Sequence, residues 1–165
     1  MSGDSATVTV FVAVSPEDAF DVFTDEIDAW WKHGPEYRIA GRRRGQLTFE
    51  GKVGGRLYET FELPAGPRTF VVGEVLAWEP PTRIELEWRN VNFKPGEKTF
   101  VEVSFRPQGE GTLVSVTHRG WSALREGHPA RHGLTGAEFS RMIGMWWGQL
   151  MTSLREHVAE TRPPP

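Results

Sequence analysis

No cysteine occurs among the 165 residues. Disulfides, thiolate metal sites and a cysteine nucleophile are therefore excluded. The same absence fits a reducing compartment, and a cytoplasmic location is expected. No apolar run approaches the roughly 18 residues of a membrane span. The opening "MSGDSATVTV" has neither the basic nor the apolar region of a signal peptide. A formal charge of −3 speaks against a general nucleic-acid binder. The basic run Arg42-Arg43-Arg44 sits between Gly41 and Gly45 and reads as a solvated turn. Gly-x-Ser-x-Gly, a dinucleotide fingerprint and triad spacing are all missing, and Lys52 in "GKVGG" is not followed by Ser or Thr, so it is not a phosphate loop.

What the chain has in quantity is aromatic side chains, with seven tryptophans and ten phenylalanines. They imply either a very aromatic core or an aromatic-lined cavity. The length fits one domain over residues 1–160, followed by a disordered Pro-rich tail over 161–165.

The order of elements follows from local chemistry. "TVTVFVAV" (7–14) has strand propensity throughout. Ser15 then offers an N-cap and Pro16 an N1 residue for a short helix to about Phe23. "EIDAWW" gives a second short helix that ends before Gly34-Pro35. Six strand-like segments follow. Gly54-Gly55 makes the first turn, Gly73 predicts a bend or bulge, and Glu79-Pro80-Pro81 ends the third of these segments. In "TRIELEWRN", Ile84, Leu86 and Trp88 alternate with charged residues and share one face. The chain closes with a long amphipathic helix over about Glu138–Val158. Short turns between the strands imply an antiparallel meander. The expected fold is α+β, with about seven strands curved around the last helix and space left at one or both ends.

Several motifs carry a resemblance. "GGRLYE" (54–59), "GEVLAWEPPTRIELEW" (73–88) and "GTLVSVTHRGW" (111–121) resemble the heat-shock-protein-90 ATPase activator homologues. These form a branch of the START/Bet-v-type (SRPBCC) superfamily. The final helix is similar through Trp147, Met151 and Leu154 but carries Trp146 where the family has glycine. The resemblance implies a helix-grip fold. Its members include binders, enzymes and chaperone activators.

Together, fold and composition point to a small hydrophobic or amphipathic ligand held between the last helix and the sheet. The candidate lining residues are Trp30, Trp31, Tyr58, Phe61, Trp78, Trp88, His118, Trp121, Ile143 and Trp147. His118 could act as acid, base or hydrogen-bond donor, or be satisfied in place at a strand end, and Glu102 is the nearest carboxylate to pair with it. His128 and His132 lie in a Gly/Pro loop without a third ligand, and His33 is alone in a turn, so no metal or other cofactor is expected. The catalytic signals are weak, and the chain reads as a binder before an enzyme. A chaperone contact is the alternative, and a cyclase- or hydrolase-like cavity enzyme the second. Ser140, Gly144, Gly148 and Thr152 form a small-residue strip on the last helix. It predicts close approach by the short helices, by a second copy in a homodimer, or by a ligand.

Overall fold

The computed structural model describes residues 5–89, 97–121 and 136–163. His128 and His132 lie outside them. Strand β1 (Ser5–Val12) leads to helices α1 (Pro16–Asp25) and α2 (Ile27–Trp30). Strands β2 (Gly45–Phe49), β3 (Arg56–Leu63), β4 (Gly66–Glu79), β5 (Arg83–Trp88), β6 (Thr99–Gln108) and β7 (Gly111–Arg119) follow, and helix α3 (Gly136–Thr161) completes the chain. Ser15 caps α1 as expected, its Oγ accepting the Asp18 N–H at 3.2 Å.

The seven strands form one antiparallel sheet in the order β1-β7-β6-β5-β4-β3-β2. Each strand from β2 to β7 pairs with its sequence neighbour, and β1 returns to pair with β7. The sheet curls around α3 in the α+β helix-grip arrangement. Period-2 alternation sends Leu57, Ile84, Leu86, Val101, Val103, Val114 and Val116 inward. Phe139, Leu150, Met151 and Leu154 meet them from α3, each at most 1% exposed.

The bend expected at Gly73 is a bulge. Leu57 pairs with Gly73 and Tyr58 with Val71, so Val72 is the extra residue. A Cβ at position 73 would lie 2.2 Å from the Glu87 carbonyl oxygen, so only glycine admits this close approach of β5. The bulge leaves Val72 buried.

Two expectations need correction. Glu102 does not approach His118. In register it stands opposite Thr117, on the outer face of the sheet, and accepts from Arg83 Nε at 2.6 Å. A one-residue offset in a strand reverses the face. The short helices also do not fill the strip on α3, since a Cβ at Gly144 or Gly148 would meet nothing within 4 Å. Ser140 donates to the Ser5 carbonyl, which places this side of α3 toward β1, while Ser153 on another face donates to the Trp30 carbonyl.

Candidate functional site

A cavity of about 550 Å³ lies between the sheet, α3 and the segment after α2. That volume is within the usual range for small-molecule sites, roughly 300–1,000 Å³. The sheet supplies Leu47, Leu57, Glu59, Val72, Trp88 and His118. Helix α3 supplies Met142, Ile143 and Trp146. Trp31, Pro35, Glu36, Tyr37, Arg38 and Ile39 form the third wall, and Trp121 closes the end beyond β7. Pro35 and Glu36 are exposed and mark the rim.

The third wall contains no regular element, and side chains from other elements hold it. Trp31 Nε1 donates to the Tyr37 carbonyl at 2.9 Å, and Trp146 Nε1 to the Glu36 carbonyl at 2.8 Å. The Tyr37 and Trp146 rings stack with centroids 5.8 Å apart. Arg38 folds back on α2, donating to the Asp28 carboxylate at 2.7 Å and to the carbonyls of Asp28, Trp31 and Lys32. From the sheet, Glu59 Oε1 accepts the Ile39 N–H at 2.8 Å and Oε2 the Ala40 N–H at 3.1 Å. Buried donors and acceptors are satisfied in this way, so the segment holds its place without helix or strand hydrogen bonds.

Trp88 sits among Trp31, Trp147 and His118, with ring centroids at 6.0, 5.7 and 5.9 Å. Behind it, His118 is fully enclosed. Its Nδ1 accepts the Trp147 Nε1–H at 3.1 Å. Its Nε2 lies 2.7 Å from Thr99 Oγ1, which itself donates to the Trp88 carbonyl at 3.2 Å. One tautomer satisfies the chain: Nε2 carries the proton and Nδ1 does not. Burial pushes the His118 pKa down to about 3, so the ring is neutral near pH 7. Both nitrogens are engaged within the protein, and the ring contributes to the wall as a flat surface.

Of the residues expected from sequence, Trp31, Trp88, His118, Trp121 and Ile143 come together on this wall. Trp147 lies directly behind it, 1% exposed and bonded to His118. Trp30 packs deeper, with Nε1 donating to the Phe23 carbonyl at 3.2 Å. Trp78 stands at the other end of the groove against Phe20 and Phe49. Tyr58 lies under the Arg56 guanidinium, 4.8 Å from its ring centroid, on the outer face of β3. Phe61 is buried on the same face as Glu59 but outside the cavity wall.

Sequence reasoning missed Glu59, Trp146 and the whole Pro35–Ile39 segment. Glu59 had a signal, a carboxylate at an inward position between Leu57 and Phe61. Trp146 lies on the cavity edge of the α3 apolar arc, beside Trp147. Among the described residues, no group of three or more His, Asp or Glu side chains is placed to hold a metal ion.

The family described as "Activator of Hsp90 ATPase homolog 1-like protein" matches residues 13–159. No curated protein matches the chain. Among solved structures it is similar to a protein of Mesorhizobium loti, at 18% identity and TM-score 0.63, covering 95% of this chain and 98% of that one. It is similar to an HSP90 activator from Plasmodium falciparum, at 19% identity and TM-score 0.62, covering 95% and 97%. It is also similar to the Aha1 dimer from Colwellia psychrerythraea, at 15% identity and TM-score 0.61, covering 93% and 95%. At these identities the likeness shows the fold.

Proposed function

The chain belongs to the Activator of Hsp90 ATPase homolog 1-like family, and on that premise we propose that it binds a small hydrophobic or amphipathic molecule in the cavity between α3 and the sheet. The observation that carries this reading is the way the cavity is kept open. Two of its indoles are tethered through their N–H groups, Trp31 to the Tyr37 carbonyl and Trp146 to the Glu36 carbonyl, which fixes the third wall in place and leaves the space between it, α3 and the sheet. The apolar surface left facing the space favours an apolar guest.

The engaged state of His118 favours binding over catalysis, since a ring with both nitrogens occupied has none to offer as a base. A chaperone contact has the description of the Plasmodium falciparum relative in its favour. Against it, the exposed large apolar side chains among the described residues, including Phe11, Val71, Leu76 and Met145, are spread over β1, β4 and α3. No described helix is long and apolar enough to cross a membrane.

Native mass spectrometry of freshly purified protein tests the proposal. The expected result is an added mass that is lost on denaturation. A bare mass, together with no response of the tryptophan fluorescence to an apolar dye, would overturn it.

A further inference from the structure

We infer that the ligand carries a cationic amine head, seated against Glu59; this deepens the binding reading above and rests on it. Among the described residues, three side chains of the wall bear formal charge: Glu36 at the rim, Arg38 and Glu59. Arg38 is already balanced, since its guanidinium holds the Asp28 carboxylate at 2.7 Å and gives three more of its five donors to backbone carbonyls. Glu59 is different. It is 1% exposed, and among the described residues its two oxygens accept from the backbone N–H groups of Ile39 and Ala40 alone. Among the described residues, no Lys, Arg or His nitrogen comes within the 4.0 Å of an ion pair.

A carboxylate offers about four lone-pair positions, and the two amides leave part of that capacity unused. Burying such a charge without a counter-charge is costly. A cation brought by the ligand would supply the missing partner. The rest of the wall suits the same guest. Trp31, Trp88, Trp121 and Trp146 present indole rings, whose electron-rich faces attract cations. Leu57 and Val72 accept an apolar body. A carboxylate guest would meet like charge at Glu59, and Arg38, the one wall cation among the described residues, already holds the Asp28 carboxylate.

Calorimetric titration with phenylbutylamine, phenylbutanol and phenylbutyrate at neutral pH separates the alternatives, because the apolar body is constant and only the head changes. The amine is expected to bind about tenfold or more tighter than the alcohol, with the carboxylate weakest. Glu59→Gln should bring the amine-to-alcohol ratio close to one. Because Glu59 also anchors Ile39 and Ala40, Leu47→Lys gives a second route. Leu47 stands opposite Glu59 in register, and an ammonium placed there would occupy the carboxylate, so the same ratio should collapse. Equal affinities for amine and alcohol in the wild type, or an undiminished ratio in folded Glu59→Gln or Leu47→Lys, would overturn the inference and leave the cavity reading standing. If none of the three compounds binds, both fail.

Discussion

At one end of the groove under α3, Phe20, Phe23 and Phe105 pack ring against ring, with centroids 5.1 and 5.7 Å apart. At the other end, Trp31, Trp88, Trp121 and Trp146 surround a space of about 550 Å³. Both ends are aromatic and both lie under the same helix. The difference is in the handles. A phenyl ring can only gain by contact, so phenylalanines close up until the space is filled. An indole has an N–H that must be satisfied, and Trp31 and Trp146 satisfy theirs on backbone carbonyls of the third wall. Those bonds set where each ring stops. A bonded N–H alone does not mark a cavity ring, since Trp30 and Trp147 bond theirs and are buried; what sets Trp31 and Trp146 apart is that their partners are carbonyls of the irregular third wall.

Four perturbations bear on this contrast. Phe105→Ala removes a ring that is 1% exposed and packed against Phe20 and Phe23. It should cost about 3–5 kcal/mol in urea denaturation. A loss well below that would mean the closed end is not close-packed. Trp88→Ala should cost less, about 2 kcal/mol, because one side of the ring faces the cavity and has fewer atoms to lose. Its larger effect should fall on phenylbutanol affinity, by about tenfold. If Trp88→Ala instead matches Phe105→Ala in stability and leaves affinity alone, the two ends are alike.

The third test uses pH. Above the ordinary histidine value of 6.5, His118 is uncharged in both folded and unfolded chains. As pH falls below 6.5, the unfolded chain takes up a proton that the folded one refuses until about pH 3. Stability attributable to His118 is therefore lost across that window as pH falls, by up to about 1.4 kcal/mol per pH unit. His118→Gln lacks this slope, so the stability advantage of the wild type over the variant should shrink as pH falls below 6.5. Parallel curves would show that the ring is not held neutral.

The smallest effect belongs to the strip on α3. Gly148→Ala has open space and an ordinary helical backbone, so it should stabilise by somewhat under about 1 kcal/mol and leave the mass in solution unchanged. A lower melting temperature, or a shift from dimer to monomer, would mean that a second copy covers the strip. The strip faces β1, through Ser140, while the cavity lies on the side of Met142 and Trp146. Whatever approaches Gly144 and Gly148 therefore does not enter the cavity.

The sequence made the scaffold readable because its signals are local. The Ser15 cap, the turn at Gly54-Gly55 and the Ile84/Leu86/Trp88 alternation each depend on neighbours a few residues away, and the Gly73 bulge is signalled by the glycine itself. The candidate site was only partly readable. Trp31, Trp88, His118, Trp121 and Ile143 follow from strand and helix faces. The Pro35–Ile39 wall follows from none, since its conformation is set by bonds from Trp146 and Glu59, which are distant in sequence. His118 looked open to a catalytic partner because no pattern in the chain announces that Trp147 and Thr99 will occupy both its nitrogens. Glu102 was assigned to the wrong face because a strand register uncertain by one residue exchanges inside for outside.

The return of β1 to β7 has a consequence for the order in which the molecule can be assembled. The hydroxyls of Thr7 and Thr117 meet at 3.0 Å across 110 residues of sequence. A growing chain therefore carries its first strand unpaired on that side until β7 has been made, and the apolar inner face of the sheet stays bare until α3 follows. Contacts of such long range slow folding and lengthen the exposure of sticky intermediates. Ribosome-bound chains halted after β6 should accordingly be protease-sensitive throughout, and chains released after α3 protected as a unit.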